Sequence, residues 1–184
     1  MARTQGWGRV SGIACLLAMS LASGRATASE RSYETPLGTV FVDVDSNWSA
    51  MRTLPNGIEG IGFEVDGGKV MQFMLGTVED MPSGVLDAGT LRRLTNELRR
   101  SDEADQLEVS EEILTLSGRG LRGYYYLATN PAAIPAPGDY KNMYTGYISV
   151  GPDALLFVIA WNEGGKSAAD RALTALKRLR IEQR

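Results

Sequence analysis

The clearest periodic signal along the chain is the two-residue alternation from Thr39 to Val44, where Val40, Val42 and Val44 fall on one side. A period of two predicts a half-buried strand, because successive side chains of an extended chain point to opposite faces. Asp45-Ser46-Asn47 stops the pattern, and Trp48 follows as the expected core anchor. Ile58 to Val65 and Val70 to Thr77 flank Asp66-Gly67-Gly68-Lys69, a run rich in residues that accept positive φ, so these segments are predicted to pair as a hairpin. Gly60, Gly62 and Gly76 mark either bulges or a closely packed neighbour within it.

At Thr90 the period becomes helical. Leu91, Leu94 and Leu98 share one face, while Arg92, Arg93, Asn96, Arg99 and Arg100 occupy the other. An acidic stretch, Asp102 to Glu112, follows with six acids and no base. Ile113 to Ser117 and Leu121 to Thr129 are predicted strands about Gly118-Arg119-Gly120, and the Pro- and Ala-rich segment Asn130 to Asp139 is a predicted loop. Tyr144 to Val150 and Leu155 to Trp161 form a further hairpin about Gly151-Pro152-Asp153-Ala154, its second strand apolar enough for burial on both faces. Ser167 and Asp170 have the spacing of a capping box, and Leu173, Leu176 and Leu179 predict a closing helix with Lys177, Arg178 and Arg180 at its negative end. Hairpins outnumber crossover units, which predicts an α+β domain: an antiparallel sheet with two main helices packed on it.

Residues 1–28 differ from the rest. They hold Arg3 and Arg9, an apolar run from Ile13 to Ala22, Ala26-Thr27-Ala28 and no acid, the layout of a secretory signal peptide. Residues 29–184 are then a single globular domain in the periplasm or outside the cell, cleaved near Ala28. The ten-residue apolar run is half of the roughly 20 residues a spanning helix needs, so no membrane span is expected. Cys15 lies inside the run rather than after it, which argues against a lipid anchor. Residues 29–184 carry 16 basic and 22 acidic side chains, a net charge of −6 against −3 for the whole chain, which repels nucleic acid. They contain no cysteine, so disulfides contribute nothing and the apolar core must hold the domain.

The chain has no histidine, which removes Ser-His-Asp and Cys-His pairs, and with the lone cysteine in the leader the usual zinc sites and thiolate chemistry go too. Carboxylate pairs, Ser-Lys, tyrosine, arginine and oxygen-ligated cations survive. Three motif matches fail on context. Ala160 to Ser167 has the loose form of a phosphate-binding loop between strand and helix, but Glu163 would face the phosphates and too little chain follows for a parallel return strand. Gly118-Arg-Gly-Leu-Arg-Gly123 spells a dinucleotide fingerprint, yet a strand follows it where a helix is required. Asp43-Val-Asp45-Ser-Asn47 opens like a calcium loop, but Trp48 and Leu54 stand where glycine and the bidentate glutamate belong. No catalytic residue, cofactor or metal is assigned. Glu64 and Asp66, two apart near a strand end, are the carboxylates placed to share a face.

The arginine face of the first helix (Arg92, Arg93, Arg99, Arg100), with Tyr124, Tyr126 and Tyr140, is the candidate partner-binding surface. Tyr124 and Tyr126 fall on one side of their strand and Tyr125 on the other.

The early strand, polar turn and tryptophan (Val40 to Trp48), the glycine-bearing hairpin, the helix, the glycine- and tyrosine-bearing strands Thr115 to Tyr126, the final hairpin and the closing helix together resemble the Mog1/PsbP-like sandwich over residues 33 to 182. Ser46-Asn47 stand where that group usually has a proline before the tryptophan. The resemblance implies a small, non-enzymatic binding or assembly protein. The expectation is therefore an exported accessory protein acting through contact with another envelope protein, in an assembly-factor or immunity-type role. Two other readings stay open: a carboxylate-dependent hydrolase of the cell envelope, and a lipid or small-ligand carrier.

Overall fold

The computed structural model describes residues 29–35, 38–51, 54, 59–77, 86–150 and 153–182; the expected signal peptide lies outside them. Its elements are β1 (Ser29–Thr35), β2 (Gly38–Val44), β3 (Ser49–Ala50), β4 (Glu59–Val65), β5 (Met71–Thr77), α1 (Ala88–Ala104), β6 (Glu108–Val109), β7 (Leu114–Gly118), β8 (Leu121–Thr129), β9 (Asn142–Val150), β10 (Asp153–Trp161), α2 (Lys166–Leu176) and β11 (Arg180–Glu182). The architecture is α+β. An eight-stranded sheet runs β3-β4-β5-β10-β9-β8-β6, with β7 also on β8, and a three-stranded sheet runs β1-β2-β11. Every pairing is antiparallel.

The main core lies between the large sheet on one side and β2 with α2 on the other. Val40, Val42 and Val44 of β2 face Phe63, Phe73, Phe157 and Ile159 of the large sheet, and the small residues Ala168, Ala169 and Ala172 let α2 approach closely. Trp48 is the expected anchor, 6.1 Å from the Phe63 ring and 6.3 Å from Phe73. Such tilted and edge-on contacts suit the ring quadrupoles. Helix α1 covers the opposite face along β8 and β9, inserting Leu91 and Thr95. Thr95 Oγ1 donates to the Leu91 carbonyl at 2.9 Å and the Tyr124 carbonyl at 3.3 Å, so its buried hydroxyl is satisfied.

The glycines act through close approach. A Cβ at Gly60 would lie 2.1 Å from the Leu75 carbonyl oxygen, and one at Gly146 would lie 2.1 Å from that of Tyr124. The Tyr125 ring uses the space over Gly146 to reach Tyr144 and Phe157, at 5.5 and 6.1 Å.

Several expectations change. The Ser167–Asp170 capping box does not form: α2 starts at Lys166 behind Gly165, with no side-chain cap. Asp170 pairs instead with Lys166, and Ser167 accepts from Arg171 Nη1 at 2.8 Å. The helix ends at Leu176, so Arg180 belongs not to its negative end but to β11, where it pairs opposite Phe41 of β2. Leu179 is still buried. Strands β1, β3, β6 and β11 carry too little apolar alternation to announce themselves. Asp45 of the calcium-like stretch is buried and pairs with Arg171 of α2, and Asp43 lies 3.6 Å from Arg178.

Candidate functional site

One end of the large sheet is where β5 and β9 begin and β8 and β10 end: Met71 is opposite Trp161, Trp161 opposite Asn142, and Asn142 opposite Thr129. Three connections meet beyond it, the turn 66–70, the loop 130–141 and the turn 162–165. Between them opens a cleft of about 760 Å³.

The cleft is built by a few side chains that spend their hydrogen bonds on backbone groups the turns leave unpaired. Asn162 joins all three connections. Its Oδ1 accepts from the Lys141 N–H at 2.9 Å, its Nδ2 donates to the Lys69 carbonyl at 3.1 Å, and its own N–H donates to the Val70 carbonyl at 3.1 Å. Lys141 Nζ donates to the carbonyls of Asn130 and Ala132 at 2.6 and 2.8 Å, so this lysine braces the loop instead of offering its charge to a ligand. The Tyr140 hydroxyl donates to the Gly68 carbonyl. Burial, with the Glu64 carboxylate adding to it, pushes the Tyr140 phenol up to about 12, so it stays a neutral donor. Gly68 has φ of +82°, and a Cβ there would lie 2.7 Å from Gln72 Nε2 and 3.2 Å from the Tyr140 hydroxyl. Glycine is therefore favoured by conformation, and its missing side chain leaves room for the tips of Gln72 and Tyr140.

The braced loop forms an apolar wall of Ala133, Pro135, Ala136 and Pro137, and at its tip Ile134 is 88% exposed. Ile134 is the exposed large apolar side chain among the described residues. The charges lining the cleft are Asp139 and Glu163 on one side of the balance and Lys69 and the engaged Lys141 on the other. Neither carboxylate forms an ion pair among the described residues. The result is a half-open trough framed by these hydrogen bonds, apolar on one wall, with two carboxylates and two ammoniums along its lining. No group of three or more His, Cys, Asp or Glu side chains placed to hold a metal occurs among the described residues.

The predicted partner-binding residues fall in three places. Arg92, Arg93 and Arg100 are exposed on α1. Arg93 pairs with Glu97 at 2.7 Å, and Arg99 is tied down, its Nε donating to Asn96 Oδ1 at 3.2 Å and its Nη1 to the Ser110 carbonyl at 3.5 Å. A shallow groove separates Arg92 and Arg93 from Glu111 and Glu112. Tyr124 is half-buried on the α1 side of β8. Tyr126 is fully buried and donates to Asp102 Oδ2 at 2.6 Å, so it offers no surface to a partner: even-numbered positions of β8 face α1. Tyr140 alone reaches the cleft. Asp66 has left the strand, with φ of 54°, so the two-residue spacing from Glu64 no longer sets a common face. Asn162, Lys141 and Ile134 went unnoticed in the sequence; a lone isoleucine in a Pro-, Ala- and Gly-rich loop was the available signal.

No known family model matches the chain, and comparison with curated proteins finds no match.

Proposed function

We propose that this is an exported, non-catalytic binding or accessory protein that acts through contact with another envelope protein, and that the cleft at the sheet end is where contact is made. The observation that carries the reading is Ile134. Leaving a large aliphatic side chain in water forgoes about 1.5 to 3 kcal/mol of burial, and here it stands on a loop that Lys141 and Asn162 hold firmly at the mouth of a cleft. A rigid frame with an apolar projection lowers the ordering cost of association. The lack of histidine throughout, and of cysteine beyond residue 28, supports binding over catalysis. Two packed sheets with a helix on the outer face and a closing helix in the core support a Mog1/PsbP-like sandwich as the fold group, and the leader-like composition of residues 1–28 supports export.

The test uses the full chain with a C-terminal tag, expressed in its own cell, with a photo-crosslinking residue in place of the exposed, cleft-lining Ala133. A single protein crosslinked from position 133 in the envelope fraction, absent when Ile134→Asp is added, is the expected result. N-terminal sequencing of the same material is expected to begin at Ser29. Turnover of a cell-wall substrate by the purified protein would overturn the reading in favour of the hydrolase. The cleft volume also lies within the range of small-ligand sites, about 300 to 1,000 Å³. A small molecule that copurifies and raises the melting temperature, with no crosslinked protein, would replace the protein-contact reading with the carrier.

A further inference from the structure

The charge on the cleft specifies the chemistry of what enters it. We propose that the cleft takes an extended segment of the partner in which apolar residues alternate with basic ones, an inference that rests on the protein-contact reading above. Three observations converge. The apolar wall and Ile134 offer a seat for an aliphatic side chain. Asp139 and Glu163 line the same cleft, are exposed and have no ion-pair partner among the described residues, whereas the ammonium of Lys141 is already engaged by two carbonyls. Hydrogen bonds to neutral carbonyls leave Lys141 its charge, so the lining balances formally, but the groups free to pair with an incoming chain are Asp139 and Glu163 against Lys69. Residues 29–184 as a whole carry a net charge of −6. A cationic segment is therefore attracted at long range by the whole domain and can pair at short range with the two carboxylates, while an acidic segment is repelled at long range.

An extended segment fits better than a helix. The trough is bounded by three turns rather than by two parallel helices, and alternation places every second side chain of an extended chain on one face. Apolar side chains would then meet the Pro- and Ala-rich wall while the intervening lysines or arginines reach Asp139 and Glu163.

The full-length purified protein is titrated into three pools of short fluorescent peptides, with aliphatic residues alternating with lysine, glutamine or glutamate, and polarisation is read. The lysine pool is expected to bind tightest. Joint substitution Asp139→Lys and Glu163→Lys is expected to weaken it about tenfold at low salt and to reverse the order of the lysine and glutamate pools. The difference shrinks as the Debye length falls to about 3 Å near 1 M salt. Both positions are exposed, and unchanged circular dichroism confirms that the variant folds. Equal binding of all three pools, lost in Ile134→Asp, overturns the charge preference and leaves the contact reading standing. Binding of none of the pools, with no crosslink from position 133, overturns both.

Discussion

The hydrogen bond between Tyr126 and Asp102 is the most informative place to perturb this fold. Tyr126 is 0% exposed in the middle of β8, and its hydroxyl donates at 2.6 Å to Asp102, which stands in the last turn of α1. A carboxylate there is poorly placed, since the C-terminal end of a helix carries partial negative charge. Burial raises the Asp102 pKa above its ordinary value, the Tyr126 hydrogen bond opposes that, and Asp105 adds a smaller upward push. Tyr126→Phe removes the donor while leaving a poorly solvated carboxylate, so a loss of about 1.5 to 3 kcal/mol is expected, the range for hydrogen bonds to charged groups. Asp102→Ala strands the buried hydroxyl and is expected to cost about 1 to 3 kcal/mol. Asp102→Asn keeps an acceptor for Tyr126 and removes the half-buried charge, so it is expected to be neutral or stabilising at pH 7. The sign with pH follows from linkage. A carboxyl whose folded pKa is raised binds its proton more tightly in the folded state, so it lowers stability at neutral pH, and this penalty is relieved as pH falls through the folded value toward the unfolded one. The advantage of Asp102→Asn is therefore expected to shrink on acidification. Urea unfolding of the three variants at neutral pH and near pH 4 measures all of this. Equal losses in Asp102→Asn and Asp102→Ala would refute the account, because loss of the charge would then matter more than loss of the acceptor.

Gly146→Ala drives a Cβ to 2.1 Å from the Tyr124 carbonyl and 2.7 Å from the Tyr125 Cα in the middle of the sheet. It is expected to cost at least about 2 kcal/mol, seen as a lower urea midpoint. Arg171→Ala leaves Asp45 buried without its cation and is expected to cost about 2 kcal/mol, with Arg171→Lys recovering only part, as thermal unfolding will show. Asp87 caps α1 by accepting from the Thr90 N–H at 2.7 Å, a bond that lowers its pKa. Asp87→Ala is expected to lower the melting temperature at neutral pH. Because the folded pKa is depressed, the wild-type advantage is present above pH 3.8 and is lost as pH falls through the folded value. Tyr140→Phe releases the Gly68 carbonyl and is expected to speed amide hydrogen exchange in the turn 66–70 and the loop 130–141. An unchanged exchange pattern would show that Asn162 and Lys141 suffice to frame the cleft.

Elements whose reason is local were legible from residue order. Val40, Val42 and Val44 alternate because β2 has one face in the core, Asp66-Gly67-Gly68 turns the chain because each residue tolerates positive φ, and Leu91 with its helical neighbours marks the buried stripe of α1. The candidate surface was less legible. Helical spacing places Arg92, Arg93 and Arg100 on one exposed stretch of α1, with Arg99 tied back beside them, but strand alternation cannot say which face of β8 a helix will cover, and α1 buries Tyr126.

Long-range partners account for what residue order left open. β5 joins β10 across nearly half of the chain and β2 joins β11 across most of it, and these pairings turn hairpins into two sheets, with the closing helix ending at Leu176. Ser167 and Asp170 have a capping spacing, yet Lys166 and Arg171 compete for them. The cleft exists because Asn162 finds Lys69 and Lys141, neighbours in space far apart in the chain, once the sheet brings three turns to one end. Local patterns record the conformation a segment prefers and the face it must bury; which polar groups meet at a sheet end depends on the packing of the whole domain.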